Sequence, residues 1–147
     1  MICRVAIVRV RLAVALLGFA LLGGHAAQAQ DSRTTAAQLA ARAFLASTDR
    51  DDGKTSWQLA GKQFQNAITD ARWTEALHAV RVPLGSVVER TLLSTKFTTN
   101  FAGAAAEGDY ALLLYRTSFA NRTDARETVT LEREPDGEWR VIGYFIR

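Results

Sequence analysis

The sequence predicts an α+β fold: three N-terminal helices packed on a curved four-stranded antiparallel sheet, cone-like in outline. Three observations predict it. Apolar residues recur at helical spacing from Asp31 to about Arg81, and the period changes to two after Ser86. Helical runs precede the strand runs and do not alternate with them, which segregates the helices to one side of a sheet. Short turn signals, Asn121-Arg122-Thr123-Asp124 and Pro135-Asp136-Gly137, separate the last three strands and favour antiparallel neighbours.

The opening segment stands apart from that domain. Met1 to Arg11 carries Arg4, Arg9 and Arg11 and no acid, and Leu12 to Leu22 is a continuous apolar run. A run of that length suits a signal-peptide core of roughly 7–15 residues and falls short of the ~20 that span a bilayer. Ala27-Gln28-Ala29 supplies small residues at the two positions a signal peptidase reads. The expected division is a cleaved signal peptide over 1–29 and a single α+β domain over 30–147, periplasmic or secreted, with no stable membrane anchor after cleavage.

Cleavage changes the charge argument. Taking the three leader arginines from the eighteen basic residues leaves fifteen, which match the fifteen acidic ones. The mature chain is therefore neutral overall and has no basic run to follow a phosphate backbone, so nucleic acid is not an expected partner. The single cysteine, Cys3, lies before the apolar run, so the mature chain has no disulfide, thiol nucleophile, thiolate site or lipidated cysteine.

Asp31 to Thr48 reads as the first helix, with Ala37, Ala41, Phe44 and Leu45 on one face and Ala40 beside them. Thr35 with Gln38 forms a capping box, and Asp31 or Ser32 is an alternative cap. Asp49-Arg50-Asp51-Asp52-Gly53 lacks the spaced ligands and closing glutamate of a calcium loop, and reads as a solvated helix-capping turn. A second helix spans Thr55 to Ile68, marked by Trp57, Ala60, Gly61, Phe64 and Ile68. A third, capped by Thr69-Asp70, runs to about Arg81 with Trp73, Ala76, Leu77 and Val80 on its apolar face. The tryptophans read as core. Pro83 pushes Val82 toward extended backbone, and Leu84-Gly85 completes the break.

The first strand is expected over Ser86 to Thr98, with Val87, Glu89, Thr91, Leu93, Thr95 and Phe97 on one side and Arg90 and Lys96 on the other. Asn100 to Asp109 is a loop. Tyr110 to Phe119 is nearly continuously apolar, as for a central strand buried on both faces. Ala125 to Glu134 alternates, with Glu127, Val129 and Leu131 facing one way and Thr128, Thr130 and Glu132 the other. Asp136-Gly137 then turns into a last strand from Trp139 to the end of the chain.

Several stretches together carry a resemblance: Ser56-Trp57, Trp73, Arg81-Val82-Pro83-Leu84-Gly85 with Arg90, Glu127-Thr128-Val129-Thr130, and Asp136-Gly137-Glu138-Trp139-Arg140-Val141-Ile142-Gly143-Tyr144. In these the chain resembles the domain-of-unknown-function family numbered 4019. The resemblance implies an exported bacterial protein. Its helix-then-sheet order is similar to the nuclear transport factor 2-like, or cystatin-like, cone folds. It supplies no catalytic residue, because the family carries no established activity. The loop from Phe101 to Gly108, rich in Ala and Gly and without proline, departs from the family pattern.

Chemistry-bearing motifs are few. His78, the mature chain's one histidine, falls on the polar side of the third helix and reads as a surface residue, so neither a His-based metal site nor a Ser-His-Asp triad can be assembled from sequence. No nucleophile elbow and no phosphate-binding glycine loop occurs. No cofactor, metal or catalytic residue is assigned. What stands out is charge within apolar strands: Arg90, Arg116 and Glu127, with Tyr110, Tyr115 and Tyr144 as hydroxyl donors. A cross-strand pair between Glu127 and Arg90 or Arg116 would be a structural ion pair. An unpaired Glu127 in a cavity would have a raised pKa and could move a proton, and an arginine there would hold a carboxylate or phosphate through two parallel bonds. The expected function is a small exported non-enzymatic module that binds a small molecule or a protein partner, with homodimerisation through the sheet as one form. The alternative is a cofactor-free cone-fold enzyme, of isomerase or hydrolase type, using a buried acid and a tyrosine.

Overall fold

In the computed structural model, residues 23–101, 104 and 106–147 are described. The basic and apolar part of the expected leader, residues 1–22, lies outside them, as do residues 102, 103 and 105 of the alanine-rich loop. Four helices precede four strands among the described residues.

Helix α1 (Gly23–Asp49) starts upstream of the expected position, so positions 31, 32 and 35 lie within the helix and not at its N-terminus. The alanine-rich sequence on both sides of them favours continuation. Its buried face is the expected one, Ala37, Ala41, Phe44 and Leu45. The alanines at 37 and 41 lack bulk, which lets the helix lie close on the layer beneath. The chain then turns through Asp51 at φ 55°, and the Asp52 carboxylate caps α2 (Gly53–Leu59) by accepting the Thr55 N–H at 3.0 Å. Those bonds hold the Asp52 carboxyl below its ordinary pKa.

The single helix expected over 55–68 is two, α2 and α3 (Lys62–Ala67), because Ala60 and Gly61 leave helical geometry to pair with the last strand. Ala60 bridges Val141 in parallel, and the Gly61 N–H donates to the Val141 carbonyl at 2.8 Å. A Cβ at Gly61 would lie 2.9 Å from Glu134 Oε1 and 3.2 Å from Arg140 Cβ, so a side chain at this crossing would crowd both neighbours. Trp57 and Trp73 serve the core, as expected: Trp57 Nε1 donates to the Ile68 carbonyl and Trp73 Nε1 to Ser56 Oγ, both at 2.8 Å.

Helix α4 (Asp70–Leu84) includes Pro83, contrary to the expected break before it. Pro83 sits in the last turn, where the final carbonyls of the helix find partners outside it. The Gly85 N–H, at φ 77°, bonds the Arg81 and Val82 carbonyls, and Asn121 donates to the carbonyls of Pro83 (3.1 Å) and Leu84 (3.0 Å).

Strands β1 (Val87–Thr98), β2 (Tyr110–Phe119), β3 (Arg122–Arg133) and β4 (Trp139–Ile146) form one open antiparallel sheet in chain order. The fold is α+β. The β3–β4 turn forms at Asp136-Gly137, with Gly137 at φ 87° and the Asp136 carboxylate accepting the Glu138 N–H at 3.0 Å. The β2–β3 turn is shorter and earlier than expected, at Ala120-Asn121, and Asp124 at φ 56° sits in the resulting irregularity. β2 is an interior strand but is buried on one face only: Ala111, Leu113, Tyr115 and Thr117 are covered, Leu112 and Leu114 are half-buried, and Arg116 is exposed.

The first strand keeps its bounds but not its faces. Register shifts between Val87 and Glu89 and between Leu92 and Ser94 each reverse the alternation, because side chains repeat every two residues. Arg90, Leu92, Thr95 and Phe97 therefore share the partly covered face, while Thr91 and Leu93 are exposed. β3 alternates as expected, with Ala125, Glu127, Val129 and Leu131 all at 0% exposure. Beneath α1, Phe44, Phe64, Trp73 and Tyr144 form a ring cluster, tightest at Phe64–Trp73 (4.9 Å, edge-on).

Candidate functional site

Six side chains from six elements meet at one end of the sheet: Asp49 at the end of α1, Arg81 in the last turn of α4, Arg90 on β1, Thr117 on β2, Glu127 on β3 and Tyr144 on β4. The bulges bring two of them there. The slip at the start of β1 turns Arg90 inward, and a register shift on β4 next to Gly143 turns Tyr144 toward Val129, where unbroken alternation from Trp139 and Val141 would have placed Phe145.

Glu127 is the centre of the cluster and is fully buried. Its Oε2 accepts Arg90 Nε at 2.6 Å and the Thr117 hydroxyl; its Oε1 accepts Arg90 Nη2 at 3.2 Å and the Tyr144 hydroxyl at 2.5 Å. Arg90 uses its other edge on Asp49, through Nη1 at 2.7 Å and Nη2 at 2.8 Å, and so joins two carboxylates. Arg81, 4% exposed, donates Nη2 to Asp49 at 2.9 Å, holds Nη1 3.9 Å from Glu127 Oε1, and lays its guanidinium 4.6 Å from the Phe119 ring centroid. Two guanidiniums thus face two carboxylates, and the cluster is neutral as a unit.

That arrangement fixes the protonation preferences. Burial alone would lower the Arg90 pKa, but its bonds to Asp49 and Glu127 outweigh burial and hold it above its ordinary value. Burial first, and the negative charge of Glu127 next, push the Tyr144 phenol well above its ordinary range. Tyr144 is therefore a donor to Glu127 and not an acid.

Of the residues singled out from sequence, Arg90, Glu127 and Tyr144 come together, and Tyr115 is paired across the strands with Glu127. Arg116 does not join: it lies on the opposite face of β2, across from Arg126. Tyr110 is at the far end of the same strand, donating its hydroxyl to the Ala106 carbonyl at 2.8 Å and packing edge-on against Phe101 at 5.0 Å. Burial raises its pKa. Asp49, Arg81 and Thr117 are members that the sequence reading missed. Arg81 lay in a quoted stretch, Arg81-Val82-Pro83-Leu84-Gly85, and Asp49 opened the acidic turn, which were the signals available. His78 is exposed, as expected, and bonds Asp51.

Among the cavities that border the cluster, one of about 300 Å³ lies beside Asp49 and Arg81, and two others are grooves along the helices. A groove of about 410 Å³ between α1 and strands β1 and β2 is lined by Arg42, Leu45, Asp49, Arg90, Leu92 and Tyr115. An apolar groove of about 210 Å³ between α4 and β4 is lined by Trp73, Leu77, Val80, Tyr144 and Phe145. Among the described residues no group of three or more His, Cys, Asp or Glu is placed to hold a metal ion, and no helix is long and apolar enough to cross a membrane.

The family model described as "Protein of unknown function (DUF4019)" matches residues 40–144. The matched segment contains all six members of the cluster, with Tyr144 as its last residue. No curated protein and no solved structure matches the chain.

Proposed function

Since the chain belongs to the family described as proteins of unknown function (DUF4019), we propose, from its own geometry, that it is an exported, non-enzymatic binding module that holds a small molecule in the groove between α1 and strands β1 and β2. The observation that carries the proposal is the state of Glu127. Both of its oxygens are taken by four hydrogen bonds from Arg90, Thr117 and Tyr144. Four donors fill the lone-pair sites of a carboxylate, so the protein's own groups occupy both oxygens and neither is left for a substrate. A cofactor-free enzyme built on a buried acid and a tyrosine would need that acid free. The groove, by contrast, mixes apolar wall with charged rim, as ligand sites do. The curvature of the sheet into a cone, with α1 closing its mouth over the groove, belongs to the same proposal.

Export is part of the proposal. It is supported by the basic opening segment, the apolar run Leu12 to Leu22 and the small residues of Ala27-Gln28-Ala29. N-terminal sequencing of the periplasmic or secreted protein should begin at Gln30. An N-terminus at Met1 would overturn export through a cleaved leader.

Native mass spectrometry of the mature protein purified gently from its own compartment tests the binding role. A retained small molecule supports it. A bare monomer overturns it, and a bare dimer or a complex with another protein moves the function to the outer sheet face around Leu112 and Leu114.

A further inference from the structure

The groove beside α1 has a chemistry of its own, apart from the Glu127 cluster. Arg42 stands on its helical wall four residues before Ala46, and among the described residues it enters no ion pair. Its one hydrogen bond is Nη2 to Gln38 Oε1 at 3.4 Å, a weak one. Arg90, on the opposite wall, is already balanced by Asp49 and Glu127. The groove therefore has one uncompensated positive charge. Tyr115 also lines it, is 5% exposed, and has a buried hydroxyl with no hydrogen-bond partner. A buried hydroxyl without a partner is costly, and native structures keep few of them. Leu45 and Leu92 supply apolar surface next to both groups.

We propose that this groove binds a small organic monocarboxylate, its carboxylate held by Arg42 and the Tyr115 hydroxyl and its apolar part against Leu45 and Leu92. This assignment rests on the binding role proposed above and names its ligand class. The charge count selects a single negative charge, since a dianion would add repulsion from Asp49, which lines the same groove. The planar guanidinium of Arg42 matches a carboxylate with two parallel bonds. The Tyr115 phenol is suited to donating and not to ionising: burial raises its pKa more than the nearby Arg42 and Arg90 lower it.

The test uses the mature protein, residues 30–147, with hexanoate and benzoate as probes, hexanamide and benzamide as neutral analogues and inorganic phosphate as a dianionic control. Binding is followed by isothermal titration calorimetry and by backbone amide shifts. The expected result is binding of a carboxylate at least tenfold tighter than its amide and than phosphate, with the largest shifts at Arg42, Leu92 and Tyr115. Arg42→Gln should weaken it about tenfold. Tyr115→Phe should weaken it several-fold while leaving the melting temperature unchanged or raised, since it removes an unpartnered hydroxyl. A merely structural Tyr115 would lower the melting temperature and spare affinity, which overturns its assigned role. Equal binding of amide and acid overturns the carboxylate assignment while the binding role stands. No binding of either acid also overturns it, and the native mass spectrum then decides the binding role separately.

Discussion

Glu127→Gln is the substitution that the cluster constrains most sharply. The change keeps the side-chain volume but replaces one oxygen with an NH₂ group. Both oxygens face donors. On one side are Arg90 Nε and the Thr117 hydroxyl, on the other Arg90 Nη2 and the Tyr144 hydroxyl. A hydroxyl can rotate to accept, but a guanidinium cannot, so either placement of the amide sets N–H against N–H of Arg90. The cluster also passes from neutral to one excess positive charge at a position with 0% exposure. Breaking a buried ion pair costs about 3–5 kcal/mol, and because Arg90 keeps both bonds to Asp49 the expected loss is at the lower end, ~3 kcal/mol. With an unfolding entropy of about 2.1 cal/mol/K per residue, a domain spanning residues 30–147 should lose about 12 °C in melting temperature. Urea and thermal denaturation followed by circular dichroism measure this, with the urea m-value unchanged. Arg90→Met combined with Glu127→Gln should recover part of the loss, since the excess charge is gone. A single variant within about 0.5 kcal/mol of the parent, or more stable than it, would refute the reasoning, because a strained or functional acid gains stability on neutralisation.

Other outcomes follow from particular contacts. Gly53→Ala should cost about 1–3 kcal/mol in the same melts, because a Cβ there would lie 2.5 Å from the Thr74 backbone, which cannot swing aside. Arg116→Ala, on the exposed outer face, should change stability by no more than about 0.5 kcal/mol. Alkaline pH should destabilise the protein. Tyr110, Tyr115 and Tyr144 hold their protons above the ordinary tyrosine range, each chiefly through burial. Above about pH 10 the unfolded chain releases protons that the folded chain keeps, so the unfolded state binds fewer and stability falls as pH rises. The stabilisation is complete below that pH, and its loss should grow with pH, most of all from Tyr144, whose phenol is displaced furthest. Tyr144→Phe should flatten the decline, and a stability profile unchanged between pH 9 and 11 would contradict it.

The helix-then-sheet order, the strand positions and the Arg90–Glu127 pair were legible in the sequence because they depend on local periodicity and on charges set within apolar runs. The faces of β1 were not, since bulges at its start and middle reverse alternation without leaving a glycine or proline to mark them. The break at Ala60-Gly61 follows from pairing with Val141, eighty positions along the chain, and a helical pattern on both sides conceals it. Asp49 looked like one more solvated acid in a capping turn, and Arg81 like the end of the third helix. Only the approach of α1 and α4 to the sheet makes them partners. Arg116 shows the opposite error: adjacency to Tyr115 in sequence guarantees opposite faces in a strand.

The position of Tyr144 ties the last strand to three other elements. It closes the hydrogen bonding of Glu127, packs edge-on against Phe44 at 5.6 Å, and stands three residues from the end of the chain. Arg90 and Thr117 supply the other three hydrogen bonds of Glu127 from β1 and β2, and Tyr144 adds the fourth from β4. A change at Tyr144 therefore reaches α1 through Phe44, α4 through Trp73 and β3 through Glu127, and not its own strand alone.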